Sequence, residues 1–351
     1  MFNTQHNYST KFYRPKSMFI SEENLDDALQ LLLPAVIENG VKVSSTKGEN
    51  IELTGVLVEI ANPRARLSRT ETRGKPFSCL GELLWYLSGS DRLEFIEYYI
   101  PDYKKSAEEN GTIHGGYGPR IFSQTETSQF ENVRRLLERK PNTRQAVIQI
   151  FSGNDILSQK KDTPCTCTLQ FLNRDERLHL IASMRSNDAF LGFPHDVFTF
   201  TMLQEIMAVS LGLELGTYRH FAGSMHIYEH KCNQAREFVD EGFQSTLTPM
   251  PNMPRENPRE AIETLLGFER DVRVGKDVNP ESPESLSLPE YWQDIARLLV
   301  CYRFHKDGKI SELARSREFF RSEVYLDFVD RKIQALERIR EFDSSTETNN
   351  A

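Results

Sequence analysis

Two short alternating runs and a long apolar run, all in the middle of the chain, constrain its fold more than any other feature. Residues 166–171 and 178–184 alternate apolar and polar side chains, which predicts two neighbouring strands, and 197–211 predicts a buried helix. Cys165 precedes the first strand and Arg185 follows the second, so strand pairing could bring a thiol beside a guanidinium. A cation lowers the pKa of a neighbouring thiol and makes it a nucleophile. The alternative is a buried structural cysteine beside an unrelated surface arginine.

Composition narrows the class of protein. A chain of 351 residues with 38% apolar residues can bury a large core. Its net charge of −8 argues against a nucleic-acid-binding protein, which would carry a basic face. Five cysteines without framework spacing predict reduced thiols and a cytoplasmic location. No apolar run approaches the ~18 residues of a membrane span, so we expect no membrane partner.

The chain divides by pattern into four segments. We predict a flexible N-terminus over 1–20, a catalytic core over 21–244, a linker with C-terminal helices packed on the core over 245–340, and a disordered tail over 341–351. Helices are predicted over 22–39, 77–88, 129–139, 259–268, 289–305 and 308–340, and further strands over 41–45, 51–60 and 145–151. Glu82 falls in the apolar helix 77–88, where an acid must be paired or functional because an unpaired buried carboxylate is costly.

The Pro-Cys at 164–165 and the segment Arg-Ser-Asn-Asp-Ala-Phe-Leu-Gly-Phe-Pro-His-Asp at 185–196 resemble the thymidylate synthase family. Other family landmarks follow in order: Gly81-Glu82-Leu83-Leu84-Trp85, Gly116-Tyr117-Gly118, Thr143-Arg144 and His226-Ile227-Tyr228. The resemblance runs from about residue 50 to residue 235. It implies an α/β (α+β) thymidylate synthase fold, a mixed β-sheet flanked by helices, here with an added C-terminal helical segment, and a homodimer.

The resemblance also implies roles for individual residues. The implied catalytic residues are Cys165, Glu82, Tyr117 and Asp196; the nucleotide ligands are Arg185, Ser186, His226, Tyr228, Arg144 from the second subunit, and Arg64 and Arg66; the folate contacts are Asp188, Tyr103, Leu191, Gly192 and His195. The implied substrate is a pyrimidine nucleoside monophosphate, the co-substrate is 5,10-methylenetetrahydrofolate, and no metal is expected. Taken singly, several have ordinary explanations: a turn for Tyr117, a core position for His226, and surface charges for Arg144, Arg64 and Arg66.

Asp196 is a departure from the synthases, which carry asparagine there. An asparagine amide accepts from uracil N3–H and donates to O4, whereas cytosine presents an amino donor and an unprotonated N3. An aspartate accepts from the amino group and, when protonated, donates to N3. The same aspartate occurs in the family's cytidylate and deoxycytidylate hydroxymethylases, so we expect CMP or dCMP as the substrate. The alternative is that Asp196 caps the helix predicted from residue 197.

Two further departures concern the product. Tyr103 aligns with the synthase tryptophan that shields the intermediate, and the polar C-terminus lacks the family's apolar lid. Both favour attack by water and a hydroxymethyl product. One alternative is synthase-type methylation of dUMP or UMP. Another is an inactive nucleotide-binding protein, suggested by Gln145 in place of a phosphate-binding arginine and Thr166 in place of a histidine.

Overall fold

One mixed sheet organises the protein. The computed structural model describes residues 18–45, 47–122, 128–157, 159–244 and 249–348, without the side chains of 343–348. The strands are β1 (Met18–Glu22), β2 (Val41–Ser45), β3 (Gly48–Ile60), β4 (Val147–Gln149), β5 (Thr166–Arg174), β6 (Arg177–Asp188) and β7 (Glu214–Tyr228). Their order is β1-β3-β7-β6-β5-β4, with β2 also paired to β3. β1 and β3 are parallel, as are β6 and β7, and the other pairs are antiparallel.

Helices flank this sheet. They are α1 (Leu25–Asn39), α2 (Pro76–Leu87), α3 (Leu93–Ile96), α4 (Gly118–Phe122), α5 (Gln129–Arg139), α6 (Gly192–Ser210), α7 (Cys232–Asp240), α8 (Pro258–Arg273), α9 (Glu290–Lys306), α10 (Ile310–Ser316) and α11 (Leu326–Thr348). The predicted α/β class and mixed sheet are therefore confirmed. Within the described ranges, no helix is both long enough and apolar enough to span a lipid bilayer.

The central helix α6 explains how the layers assemble. Its residues are buried on nearly every side, without a polar stripe. A helix that is apolar all round must be covered on all sides. It packs on β6 and β7 on one side, and on α2 and α8 elsewhere. α6 is thus the centre of the core, and its packing fixes the position of its own N-terminal turns.

The predicted elements differ from the observed ones mainly at their ends. The helix predicted from residue 197 begins at Gly192. The single helix predicted over 308–340 is divided into α10 and α11, and α11 continues to Thr348, so the tail predicted to be disordered from 341 is largely helical. The segment predicted to be flexible over 1–20 lies outside the described residues up to residue 17, and its last three residues begin β1.

The C-terminal helices are tied to the core by directional contacts. The guanidinium of Arg331 on α11 donates to the carbonyl oxygens of Thr70 and Arg69, each at 2.6 Å. Arg69 in turn pairs with Asp327 at 2.5 Å. These contacts hold the loop that leads into α2, the helix that carries Glu82.

A buried ion pair lies deeper, where α6 meets the same loop. Glu205 has no exposed side-chain surface and accepts from Arg64 Nε at 2.7 Å and from Arg66 Nη2 at 2.5 Å. The backbone N–H of Met253 also donates to it, at 3.1 Å. Burial alone would raise the pKa of Glu205, but the two guanidinium groups outweigh it and hold the pKa below its usual value. Glu205 is therefore ionised in the folded protein.

We expect Glu205→Ala to lower the free energy of unfolding by about 3–5 kcal/mol, because it leaves Arg66 buried without its partner. Since the folded-state pKa is lowered, the stabilisation is present above the unfolded-state value of ~4.3 and is lost as the pH falls through the folded-state value. Urea unfolding at pH 7 and at acidic pH measures both effects.

The matched control is Asp102→Ala, which removes an exposed ion pair with Lys105 and should cost less than about 1 kcal/mol. Equal losses for the two variants would contradict the structural role of Glu205.

Candidate active site

The thiol and the guanidinium predicted from the alternating runs lie together. Cys165 directly precedes β5, and Arg185 lies on β6, which pairs with β5 in antiparallel register. The Arg185 backbone N–H donates to the Cys165 carbonyl at 2.9 Å. Its Nη2 lies 3.6 Å from Cys165 Sγ. The prediction that strand pairing joins these two groups is confirmed.

The loop that carries the thiol also anchors the Arg185 guanidinium. Nε donates to the Pro164 carbonyl at 2.9 Å and Nη2 to the Thr163 carbonyl at 3.0 Å. Arg185 is nevertheless exposed to solvent. Its charge is thus fixed beside the sulfur while its remaining N–H groups can receive an anion, as a phosphate-binding arginine requires.

Burial and charge act on Cys165 in opposite directions. Burial raises the pKa of the Cys165 thiol, Arg185 lowers it, and the charges of Asp162 and Asp196 raise it again, so the pKa lies above its usual value. The Arg185 cation therefore acts in the expected direction, but in the free protein burial outweighs it. Removing a thiolate from water costs more than this one partly exposed cation returns. Arg185 limits how far the pKa of the Cys165 thiol rises.

Thr166, the residue that follows Cys165, holds Tyr117 in place. The Tyr117 phenol oxygen accepts from the Thr166 backbone N–H at 3.1 Å and from its hydroxyl at 3.0 Å. Burial, followed by the charges of Cys165 and Asp196, raises the pKa of Tyr117 well above its usual value. Tyr117 is therefore a neutral phenol, and Thr166 orients it.

Glu82 lies on α2 within an aromatic wall. Its Oε1 accepts from the hydroxyls of Tyr86 at 3.0 Å and Tyr103 at 2.5 Å. Trp85 packs edge-on against Tyr103, with ring centroids 5.3 Å apart. Burial raises the pKa of Glu82, and the two phenols offset this only in part. A carboxyl group whose pKa is raised toward neutrality is suited to exchange protons.

Asp196 lies in the second turn of α6, and its side chain pairs with β6. Its Oδ2 accepts from Asn187 Nδ2 at 2.7 Å. Because the residue preceding α6 is Leu191, the alternative that Asp196 caps this helix is wrong. Burial, then the negative charge of Glu82, raises the pKa of Asp196 well above its usual value, and the Asn187 bond lowers it only in part. Burial and the Glu82 charge therefore both favour the protonated form of Asp196.

Asp188 ends β6 and has one free acceptor atom. Its Oδ1 accepts from the backbone N–H groups of Phe190 at 2.8 Å and Leu191 at 2.7 Å. Its Oδ2 is buried and has no hydrogen-bond partner among the described residues. Buried acceptors are rarely left unpaired in folded proteins. A donor from a bound molecule would satisfy this oxygen.

His195 joins α6 to α2. Its Nε2 lies 2.9 Å from Ser78 Oγ and its Nδ1 lies 3.1 Å from the Leu191 carbonyl oxygen. Arg73 Nη2 donates to the same carbonyl at 3.1 Å. Burial, with the charge of Arg73, lowers the pKa of His195 to about 3. The imidazole is neutral, and protein atoms already engage both of its nitrogens.

Three of the residues implied for the nucleotide, Ser186, His226 and Tyr228, lie on the neighbouring strands β6 and β7, close to Asp188. His226 on β7 is opposite Asp188 in the parallel register, and Ser186 is opposite Ser224. The rings of His226 and Tyr228 are 5.1 Å apart and edge-to-face. Burial lowers the pKa of His226, although Asp188 opposes this. His226 is therefore neutral at pH 7 and can both donate and accept a hydrogen bond.

The structure adds a cation that sequence reasoning missed. Lys47, beside the turn between β2 and β3, lies 3.5 Å from Asp162 Oδ1 through its Nζ and remains largely exposed. Its charge also lowers the pKa of the Cys165 thiol, although burial dominates that pKa. The Asp162 carboxylate also packs against Gly115, where an added Cβ would require the carboxylate to shift. The only sequence signal was the Lys-Gly pair of a tight turn.

Arg64 and Arg66 do not lie at this site. Both pair with Glu205, which is nine residues beyond Asp196 on α6, about 13 Å along the helix axis. Their assignment as phosphate ligands is wrong, because the buried Glu205 carboxylate requires their charges. Arg144, by contrast, is exposed beside β4. In the described ranges, no group of three or more His, Cys, Asp or Glu side chains could hold a metal ion.

Comparison with known proteins agrees with this geometry. The sequence model of the thymidylate synthase family matches residues 31–268, well over half of the chain. The chain is 30% identical over 212 residues to the deoxyuridylate hydroxymethyltransferase of Bacillus phage SP01, covering 56% of this chain and 55% of that protein. It is 28% identical over 240 residues to the deoxyuridylate hydroxymethyltransferase of Pseudomonas phage M6, covering 66% and 68%.

A bacterial relative is similar to the same degree. The chain is 31% identical over 194 residues to the thymidylate synthase of Symbiobacterium thermophilum, covering 51% of this chain and 65% of that protein. The matches therefore span between about half and two thirds of the length of these three relatives.

We expect alkylation of Cys165 by iodoacetamide to rise with pH about a midpoint above the usual thiol value of ~8.5, because burial dominates the pKa. Arg185→Leu should move the midpoint higher still, since Arg185 stabilises the thiolate. Mass spectrometry of the Cys165 peptide measures the rate.

The matched control is Arg177→Leu on the same strand, which removes an exposed arginine and should leave the midpoint unchanged. A lower midpoint in Arg185→Leu than in the wild type would contradict the assignment.

Proposed function

The chain belongs to the thymidylate synthase family, and from that premise we propose that it is a nucleotide hydroxymethyltransferase acting on C5 of CMP or dCMP. The reaction joins the nucleotide, methylenetetrahydrofolate and water to give the 5-hydroxymethyl nucleotide and tetrahydrofolate. A C–S bond forms at C6 and breaks at the end, and the C5 proton leaves the ring.

One observation carries the choice of base: an aspartate, Asp196, held by Asn187 in a buried position that favours its protonated form, stands where the synthases have asparagine. Its pKa is raised well above the usual value by burial and by Glu82. A carboxylic acid offers one O–H donor and one acceptor oxygen, which match cytosine N3 and the amino group. Groups left unpaired in a buried site reject the wrong substrate by roughly 10⁴-fold or more.

The nucleophile is Cys165. Addition of its sulfur at C6 makes C5 electron-rich, and the Arg185 guanidinium, 3.6 Å from Sγ, stabilises the thiolate that attacks. Tyr117 stays neutral and acts through its hydroxyl oxygen, which Thr166 orients. Glu82 exchanges protons, because burial raises its pKa above the usual value.

The residues implied for the folate fit such a molecule. The buried Oδ2 of Asp188 has no partner among the described residues, and pterin N–H groups would supply the donor it lacks. Leu191 and Gly192 begin α6 next to this oxygen. When bound, methylenetetrahydrofolate supplies the one-carbon unit. Asp188 would hold its ring.

Tyr103 supports addition of water rather than transfer of hydride. It occupies the position of the shielding tryptophan, and its hydroxyl donates to Glu82 at 2.5 Å. A polar hydroxyl joined to an acid can orient water where an indole ring would exclude it. The names of the two phage relatives, both hydroxymethyltransferases, agree with this outcome.

A second candidate is hydroxymethylation of deoxyuridylate. The names of the two phage relatives favour it. The chemistry of Asp196 permits it, because a neutral acid can also donate to uracil O4 and accept from N3–H, provided that its proton lies on the other oxygen. The same substrate panel separates the two candidates.

A second copy of the chain would complete the phosphate site. One face of the sheet is left partly open, with Phe19 61%, Phe221 39% and Val147 38% exposed. Side chains that are aligned in register across the strands β1, β3, β7, β6, β5 and β4 lie on this face. Such a surface suits a two-fold dimer, which would carry Arg144 toward the partner's phosphate. Light scattering of the protein in solution measures whether its mass is that of a dimer.

The function is tested by incubating CMP, dCMP, UMP and dUMP separately with methylenetetrahydrofolate and identifying products by mass. We expect 5-hydroxymethylcytosine nucleotide, without the dihydrofolate absorbance that hydride transfer would produce. Asp196→Asn should shift kcat/KM toward uracil nucleotides by roughly 100-fold or more, because the amide matches uracil.

Cys165→Ala is the inactive control, and thermal unfolding checks that each variant folds. A wild type that acts only on uracil nucleotides would support the second candidate. Binding without turnover, and without tritium release from C5-labelled nucleotide, would support an inactive binding protein.

Lys47 is proposed as a further phosphate ligand, because it brings positive charge near Cys165 and is open to solvent. We expect Lys47→Gln to raise the KM for the nucleotide about tenfold with a smaller effect on kcat, since a hydrogen bond to a charged group contributes about 1.5–3 kcal/mol. Steady-state kinetics at fixed ionic strength measure this.

Lys42→Gln is the matched control. Lys42 lies on the same hairpin but pairs with Glu229, so its loss should leave KM unchanged. Equal effects of the two variants would mean that only the overall charge of the hairpin matters.

A further inference from the structure

We propose that Asn187 is the residue that makes Asp196 selective, by fixing which carboxyl oxygen carries the proton and which accepts from the base. The inference rests on the proposed reading of the base by Asp196. It assigns the selectivity to a pair of side chains rather than to the acid alone.

The pair is built into the turn between β6 and α6. Asn187 is 95% buried, and its Nδ2 donates to Asp196 Oδ2 at 2.7 Å. A Cβ on Gly192 would lie 3.0 Å from Asn187 Nδ2 and 3.7 Å from Asp196 Oδ2. That approach is tight enough to displace the amide. Glycine at 192 therefore preserves the space in which the two side chains meet.

A neutral carboxyl group without such a partner would be a poor discriminator. Its proton can lie on either oxygen, so the group can present donor and acceptor in either order. Cytosine needs the donor opposite ring position 3 and the acceptor opposite position 4, whereas uracil needs the reverse. A free acid would adapt to each base at little cost.

The Asn187 amide removes this symmetry. Its N–H donates to Oδ2, and a carbonyl oxygen is a stronger acceptor than a hydroxyl oxygen, so this bond favours the proton on Oδ1. Oδ2 remains an acceptor through its second lone pair. Asp196 then presents one fixed order of donor and acceptor, and a base held with C6 at Cys165 matches only one order. The discrimination comes from the mismatched alternative.

The amide has a second feature that fits a ligand. Asn187 Oδ1 is buried and has no hydrogen-bond partner among the described residues. A cytosine amino group has two N–H bonds, one for Asp196 and one left over, whereas uracil O4 has none. The unpaired Asn187 oxygen therefore favours the cytosine amino group. Cytosine is also the base that Asp196 is proposed to select.

The test is Asn187→Leu, which removes the donor at similar volume. We expect the ratio of kcat/KM values for cytosine and uracil nucleotides, measured by competition and mass detection, to fall toward unity by on the order of tenfold or more. The turnover of the better substrate should fall less than the ratio does. A structural role alone would lower both substrates equally and leave the ratio unchanged.

Thr201→Val is the matched control, because it removes a buried hydroxyl from the same helix, bonded only to α6 carbonyls. It should leave the ratio unchanged. If Asn187→Leu does not fold, as judged by thermal unfolding, Asn187→Ala provides the same comparison.

The two proposals fail differently. A wild type that forms no product, or that prefers uracil, overturns the assignment of the cytosine substrate. A wild type that discriminates in either direction, with the same ratio in a folded Asn187 variant, overturns the role of Asn187 alone. A wild type that accepts both bases equally also overturns that role.

Discussion

Antiparallel pairing of β5 and β6, followed directly by α6, is the constraint on which the rest of the site depends. The β5–β6 register places Cys165 beside Arg185, and the turn into α6 returns Asp196 to Asn187. The nucleophile, the cation and the proposed base-reading acid thus come from one continuous segment. Because α6 is buried on nearly every side and forms the centre of the core, the position of that segment is fixed by the packing of the whole domain as well as by local hydrogen bonds.

Three buried acids of this core have pKa values shifted in different directions. Glu205 remains ionised because two arginines outweigh its desolvation. Glu82 has only phenols as partners, so its pKa rises. Asp196 has one amide partner and a negative neighbour, so its pKa rises well above the usual value. The same physical cost therefore leads to a lowered pKa in one acid and to raised pKa values in the other two, and the partners decide which.

The sequence predicted the parts of the site that depend on short-range order. Alternation gave the two strands that join Cys165 and Arg185, and helical spacing gave α5. Prediction failed where contacts between distant parts of the chain determine the structure. No local pattern in the sequence reveals that Glu205 pairs with Arg64 and Arg66, because Glu205 is about 140 positions away from them in the chain. Helical spacing also misplaced the start of α6, since Gly192 and Pro194 resemble a turn until the core covers them.

The pKa of Cys165 shows why a motif alone does not determine reactivity. The sequence supplies the cation, but the desolvation that opposes it depends on how deeply the completed fold encloses the sulfur. In the proposed complex, a bound nucleotide would change both quantities: its phosphate would partly neutralise Arg185 and Lys47, and its ring would exclude more water from Sγ. Each change disfavours a free thiolate. The sulfur is therefore better suited to form its bond to C6 as it loses its proton than to wait as a free anion.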